Sequence, residues 1–341
     1  MSNLIQFILL ALSIFLLNKL LKKMNWLCSN TGESHQNFTN KNSVPLSGGF
    51  FITIGFIFGL RELSNGFYLH IFLIFLLGVL SDLNILKSPT KRFFLQILIV
   101  FFFVATSNLQ LGNTRIVFLD YLLSNQLFNY FFVLFCITIA INGNNFTDGL
   151  NTLVVGYYSV ILLFIYYLKI KQLIYIENID FISLLIFFSV IFLFNFFNKL
   201  FIGDSGAYII GFVFSIILIK IFMNNQHVSP YFIVLLLWYP CFETLFSIIR
   251  KLLIGRSPLK PDKNHLHQLL YLILRNTFKK NNYFANVITA NLIIIYNILI
   301  FMIAVQNPFE SQFQIILIIT NILVYVLTYT RIFYLKLKKG L

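Results

Sequence analysis

A chain of 341 residues that is 59% hydrophobic, 11% charged and carries 42 phenylalanines has more apolar surface than a water-soluble globule can hide. Its solvent is lipid, and a bilayer core about 30 Å thick calls for about 20 apolar residues per helix. The formal charge of +14 then reads as charge that fixes topology and meets anionic membrane lipid, which excludes nucleic acid as a partner.

The apolar runs predict an all-α, polytopic integral membrane protein with about eleven transmembrane helices. They fall near 4–21, 47–60, 67–80, 93–107, 127–141, 152–168, 181–197, 206–223, 231–249, 285–305 and 313–330. Some runs are short for a full crossing, so tilt, flanking aromatics or a broken helix must make up the difference. No basic residue precedes the first run, and Lys19, Lys22 and Lys23 follow it. It therefore reads as an anchor helix whose C-terminal end faces the cytoplasm. Alternating from there leaves only Arg61, Arg115, Lys169, Lys171 and Lys220 outside, with the rest of the 25 basic residues inside. The N-terminus is then outside and the C-terminus in the cytoplasm. No long repeat or proline-rich linker divides the chain, so 1–341 reads as one domain, with 255–284 as a cytoplasmic histidine-containing loop. Cys28, Cys136 and Cys241 are odd in number and widely spaced, which suits packing rather than a disulfide framework or zinc.

Ionised groups at membrane depth cost about 2.5–3.5 kcal/mol even on the lenient insertion scale, and Asp82, Asp148, Asp204 and Asp262 all fall on the cytoplasmic side of this topology. From Gly78 the chain reads GVLSDLNILKSPTKRFFLQ, with Asp82 at a helix end and Lys91 and Arg92 one short loop away. A carboxylate and two cations suit a metal and a phosphate, and an ordinary membrane-exit loop is the competing reading. In INGNNFTDGLNTL, from Ile141, residues Asn142, Asn145 and Asp148 recur on one side of a helix if the stretch stays helical. Gly149 permits close backbone approach or a left-handed turn there. FIGDSGAYIIGF, from Phe201, places Asp204 between two glycines just before a helix. It could bind Mg²⁺ there, or Asp204 or Ser205 could cap the helix. GRSPLKPDKNHLHQLL, from Gly255, holds Asp262, His265 and His267 among Arg256, Lys260 and Lys263. Histidines two apart do not share a helix face, which argues against a helical zinc pair. The cations suit a diphosphate-bearing ligand or, alternatively, lipid headgroups.

In this order the four segments resemble the polyprenyl-phosphate N-acetylhexosamine-1-phosphate transferases of glycosyltransferase family 4, which include phospho-N-acetylmuramoyl-pentapeptide transferase. The resemblance runs from about Pro45 to Leu270. It begins at PLSGGF, Pro45 to Phe50, similar to the family's Pro-x-x-Gly-Gly stretch, and Pro240, Glu243 and Thr244 resemble its Pro-x-x-Asp-Thr step. The histidine loop resembles the branch that uses UDP-N-acetylhexosamines. This implies transfer of N-acetylhexosamine 1-phosphate from a UDP-N-acetylhexosamine to undecaprenyl phosphate at the cytoplasmic face of the bacterial inner membrane. UMP is released, and the lipid product serves cell-surface polysaccharide synthesis. The cofactor implied is Mg²⁺, or Mn²⁺ in its place, held by Asp204 and Asp148. Asp82 would orient or deprotonate the lipid phosphate, with Asn142, Asn145, Lys91, Arg92, Arg256, Asp262, His265 and His267 on the substrates. The assembly stays open, a homodimer included.

Three positions depart from the pattern. Ser81 stands where most members have the first of two adjacent aspartates, Asn151-Thr152 replaces Asp-Gly, and Gln268 replaces a frequent histidine. A site with fewer carboxylates leaves a catalytically silent scaffold of the same fold as the alternative. A transporter should show paired broken helices near the midplane, whereas these motifs sit at cytoplasmic ends, and nothing in the sequence resembles a channel's filter or repeated pore ring.

Overall fold

The computed structural model describes residues 3–28, 44–60, 65–258, 262–278 and 281–339. Among these residues the secondary structure is helical, with two isolated bridges, Cys28 to Pro45 and Leu60 to Ile179. The first helices are α1 (Asn3–Met24), α2 (Gly48–Gly59), α3 (Asn65–Asp82) and α4 (Pro89–Ser107). Then come α5 (Val117–Leu123), α6 (Gln126–Thr147), α7 (Leu153–Ile170), α8 (Phe181–Phe196) and α9 (Gly203–Asn224). The chain closes with α10 (Pro230–Leu236), α11 (Trp238–Leu253), α12 (Leu266–Thr277), α13 (Asn282–Ala304) and α14 (Ser311–Lys339).

Each predicted run is helical, and the run at 231–249 is broken into α10 and α11, bent by 77°. Among the described residues seven helices are long and apolar enough to cross a bilayer, or eight with the bent pair as one span, while α2, α3 and α8 are shorter apolar helices. The sequence did not announce α5 and α12, which have only 7 and 12 residues. Polar caps punctuate the apolar runs. Ser88 accepts from Lys91 N–H with Pro89 at the first position of α4, and Asn125, Asp180 and Asn281 cap α6, α8 and α13 in the same way.

The bundle is built around α9. Its apolar window is 89% buried, against 22% for α1, α4 and α14, so α9 is the hub and the other three face lipid. Lipid tails are as apolar as leucine, so what draws helices onto α9 is close packing rather than burial from water. A Cβ on Gly78 would sit 2.2 Å from the Ser205 Cα, and one on Gly49 2.2 Å from the Ser205 Oγ. Both glycines therefore let α3 and α2 press on the first turn of α9 at backbone distance. The segment before α2 is laced to the same place, with Gly48 and Gly49 N–H donating to Phe201 and Ile202 carbonyls at 3.0 and 3.1 Å. Asn18 of α1 adds a tie, accepting from Ser47 Oγ at 2.6 Å and donating to the Lys199 carbonyl at 3.0 Å. PLSGGF thus fixes where α9 begins.

Candidate active site

A cleft of about 480 Å³ opens at one end of the bundle. The end of α3, the starts of α4 and α9, the end of α6 and the segment joining α11 to α12 form its walls. Eight of the expected residues line it: Asp82, Arg92, Asn142, Asn145, Asp148, Asp204, Asp262 and His265. Asp82 and His265, at opposite ends of this series in the chain, are thereby brought to one place.

At the start of α9 the carboxylates divide their work. Asp82 Oδ1 accepts from Asp204 N–H at 2.8 Å, and its Oδ2 accepts from Ser205 N–H at 3.1 Å and Ser205 Oγ at 2.7 Å. The cap of α9 therefore comes from α3, not from Asp204 or Ser205 as the local sequence suggested. Gly203 makes this possible: at φ +70° it turns the chain into the helix, and a Cβ there would lie 2.7 Å from Asp82 Oδ2. Freed from capping, Asp204 pairs through Oδ2 with Arg92 Nη1 at 2.7 Å. Ser81 Oγ bonds to the same carboxylate and to the same guanidinium nitrogen. A hydroxyl thus joins an ion pair where the family pattern has a carboxylate.

The α6 wall keeps its helix through Thr147. Asn142, Asn145 and Asp148 consequently face the cleft together. Asn142 donates to Gln96 Oε1 and to the Thr138 carbonyl, each at 2.9 Å. Asp148, just beyond the helix, donates its N–H to the Asn144 carbonyl at 3.0 Å, while its carboxylate has no hydrogen-bond partner among the described residues. Burial pushes its carboxyl well above the usual range, and the nearby Asp204 and Asp82 add to the effect. The left-handed residue that follows is Thr152, with φ 70°, not Gly149. A β-branched residue is rarely found in that conformation. Asn195 Oδ1 holds it by accepting from Thr152 N–H, while Asn286 Oδ1 accepts from Asn151 N–H at 2.9 Å. Gly149 serves close approach instead, since a Cβ there would meet His267 Nε2 at 3.0 Å.

The histidine segment is tied down by charge. Arg250 Nη1 lies 2.8 Å from Asp262 Oδ2, and Asp262 Oδ1 lies 3.4 Å from His265 Nε2. Burial, the largest single effect, would raise the Asp262 carboxyl, but the hydrogen bond from Arg250 and the nearby charges of His265, Arg250 and Lys251 together outweigh it and hold the group below its ordinary value. His265 stands at the N-cap of α12 and its ring stacks on that of His267, centroids 5.6 Å apart.

Three expected ligand-binding residues lie elsewhere. Lys91 is exposed on the first turn of α4, and Arg256 is exposed on the turn after α11. His267 is fully buried behind the wall, where desolvation pushes its imidazole down to about 3. Lys260 lies outside the described residues. In exchange the cleft gains Lys87, Gln96, Tyr208, Lys251 and Gln268. A readable signal existed for two of these. Gln96 is one helical turn beyond Arg92, and Glu243, Ser247, Arg250 and Lys251 recur at helical spacing along α11 as a polar stripe.

Among the described residues no three His, Cys, Asp or Glu side chains cluster closely enough to hold a metal ion by themselves. The fold and the cleft define a polytopic helical membrane protein with a mixed acidic and basic pocket at one end of the bundle. The sequence model of glycosyl transferase family 4 matches residues 64–222. The chain is 25% identical over 247 residues to the undecaprenyl-phosphate alpha-N-acetylglucosaminyl 1-phosphate transferase of Salmonella typhi, covering 67% of this chain and 65% of that protein. It thus spans just under two thirds of that relative's length. It is 26% identical over 281 residues to a probable undecaprenyl-phosphate N-acetylglucosaminyl 1-phosphate transferase of Bacillus subtilis, covering 78% and 76%. The Thermotoga maritima protein with the Salmonella protein's name is 26% identical over 228 residues, covering 67% and 68%. The chain is thus similar to glycosyl transferase family 4, whose model matches just under half of it, and to undecaprenyl-phosphate N-acetylglucosaminyl 1-phosphate transferases at 25–26% identity.

Proposed function

We propose that the protein transfers N-acetylhexosamine 1-phosphate from a UDP-sugar to undecaprenyl phosphate at the cytoplasmic face of a bacterial inner membrane. The observation that carries the reading is the meeting of Asp148, Asp204, Arg92 and His265 in one cleft at a helix-bundle end. The names of the relatives make UDP-N-acetylglucosamine the first donor to test.

In this reaction an oxygen of the lipid phosphate attacks the donor's β-phosphorus in line. The new P–O bond forms as the bond from that phosphorus to the bridging oxygen breaks, and UMP leaves with the electron pair. A phosphate monoester, with a second pKa of about 6, is mostly dianionic at neutral pH and needs no strong base. That frees Asp82 to spend both oxygens on the start of α9, where it positions Asp204. Arg92 and Lys87 supply positive charge for the meeting of two anions, and Asn142 and Asn145 offer amides to phosphate or sugar oxygens.

The carboxylates fit Mg²⁺, or Mn²⁺ in its place. Asp148 and the Oδ1 of Asp204 carry hard oxygens with no hydrogen-bond partner among the described residues, and Mg²⁺ is commonly held by one or two carboxylates with substrate phosphates. Asp204 and Asp148 would hold the ion, and when bound it offsets charge on the donor diphosphate.

The test is purified protein with undecaprenyl phosphate, Mg²⁺ and a panel of UDP-N-acetyl sugars, reading UMP and lipid-linked sugar. Turnover of at least one sugar is expected. A silent panel would instead favour a scaffold of the same fold, the reading that Ser81 motivates.

A further inference from the structure

A chain of buried polar contacts leads out of the cleft to the C-terminal helix. His265 Nδ1 donates to Glu243 Oε1 at 2.9 Å, and Leu266 N–H donates to the same oxygen at 3.3 Å. The other carboxylate oxygen, Oε2, accepts from the Tyr325 hydroxyl of α14 at 2.8 Å. Glu243 is 1% exposed and Tyr325 2% exposed, so water does not share these bonds. A carboxylate so deeply buried is tolerated only with its lone pairs satisfied. Of the three donors, two belong to the histidine segment and one to α14.

The tyrosine is itself held in place. Its ring packs edge-on against Phe242 and Phe246 of α11, with centroids 5.0 and 5.2 Å away, and stacks with Tyr329 one turn further along α14. A second tie runs from Lys336 Nζ to Asn264 Oδ1 at 2.7 Å, immediately before His265. Only His265, at one end of this series, lines the cleft. A carboxylate on one ring nitrogen fixes the direction in which an imidazole points, and whatever fixes the carboxylate fixes the imidazole.

We infer that Tyr325 is a positioning residue: through Glu243 it sets the orientation of His265 toward the diphosphate-bearing donor, so that α14 takes part in donor recognition without touching it. The link to donor recognition rests on the transfer reaction proposed above, whereas the brace itself does not. Tyr325→Phe removes one hydroxyl and leaves the aromatic packing.

Two measurements on the full-length protein test the inference. Hydrogen–deuterium exchange should rise in the peptide covering 262–270 of Tyr325→Phe and stay unchanged in 318–330, because the ring still packs. In UMP release from UDP-N-acetylglucosamine, the KM for the donor should rise about three- to tenfold, the size of one net hydrogen bond. The KM for undecaprenyl phosphate should stay within about twofold, and the same substitution made in Glu243→Gln should add less than about twofold, because the two act in series. Unchanged exchange at 262–270 overturns the brace whatever the activity. Raised exchange with unchanged donor KM, or effects of the two substitutions that multiply, overturns the positioning role. A wild-type protein inert with every UDP-sugar would sink the transfer reading, and the exchange measurement would still decide the brace.

Discussion

Ser81→Asp restores the carboxylate that the family pattern places beside Asp82. Ser81 Oγ bonds to Asp204 and to Arg92, and those two are 2.7 Å apart. A carboxylate at this position meets one anion and one cation at similar range. Two unit charges about 4 Å apart interact by about 4 kcal/mol at an effective dielectric of about 20. Repulsion from Asp204 and attraction to Arg92 both have this size, so they cancel to first order. Arg92 can also serve two carboxylates, because a guanidinium carries five donors in a planar fork. The variant should therefore fold and lose no more than about tenfold in rate, about 1.4 kcal/mol in barrier. Ser81→Ala keeps the direct Arg92–Asp204 pair and should fall within the same range. The assay is the initial rate of UMP release across a Mg²⁺ titration for wild type and both variants. A collapse of the aspartate variant that excess Mg²⁺ does not restore would show that the charges do not balance, and that the chain has left the two-aspartate arrangement.

Asp204→Asn should abolish metal-dependent turnover while the protein stays folded, since Asp82 and not Asp204 caps α9; Asp148→Asn should act alike. Near wild-type rate for Asp204→Asn at unchanged Mg²⁺ demand would remove Asp204 from the metal shell. Gly78→Ala puts a Cβ 2.2 Å from the Ser205 Cα, so α3 and α9 must part at a cost of about 1–3 kcal/mol, read as a lower thermal midpoint in detergent. An unchanged midpoint would refute the backbone-distance crossing. His267 supplies the pH dependence: its imidazole is pushed from 6.5 down to about 3, so between these values the folded state binds fewer protons than the unfolded one. Its stability contribution is full above pH 6.5 and is lost as pH falls toward about 3, and His267→Gln should flatten that part of the midpoint–pH curve; an equal slope in both proteins would refute it.

The apolar runs were legible because lipid demands long, nearly uninterrupted helices, and no tertiary contact is needed to see them. The break between α10 and α11 and the short α5 and α12 were not, since a run of apolar residues looks the same straight or bent by 77°. Of the site, the aspartates and Asn142 and Asn145 were legible because polar groups beside apolar helices are conspicuous. The roles within it were less so. Local sequence around GDSG offers two caps for α9, yet the cap taken comes from Asp82, 122 residues earlier. No pattern within a window reveals a partner at that distance. Spacing also misled at the cations: Lys91 and Arg92 are adjacent, but neighbours on a helix point about 100° apart, so only Arg92 reaches the cleft.

The second lost carboxylate, at Asn151, is a different case from Ser81, and the two variants should separate. Asn151 Nδ2 donates to the Asn195 carbonyl at 3.2 Å and also to Asn198 Oδ1. The same loop holds Thr152 in its left-handed conformation through the Asn195 side chain. Asn151→Asp replaces a donor by an acceptor facing two oxygens, with the position only 7% exposed. Asn198 can turn its amide to offer nitrogen, but the Asn195 carbonyl is backbone and cannot. No cation pairs with this site among the described residues, unlike Ser81 with Arg92 beside it. A buried polar group left facing its own kind costs about 1–3 kcal/mol. Asn151→Asp should therefore lower the thermal midpoint, whereas Ser81→Asp leaves it near wild type, although both move the chain toward the family pattern. Thermal unfolding of the two variants side by side in one detergent decides the matter. An Asn151→Asp protein as stable as wild type would mean that the asparagine network does not hold this loop, and that the departure at Asn151 has no structural cause here.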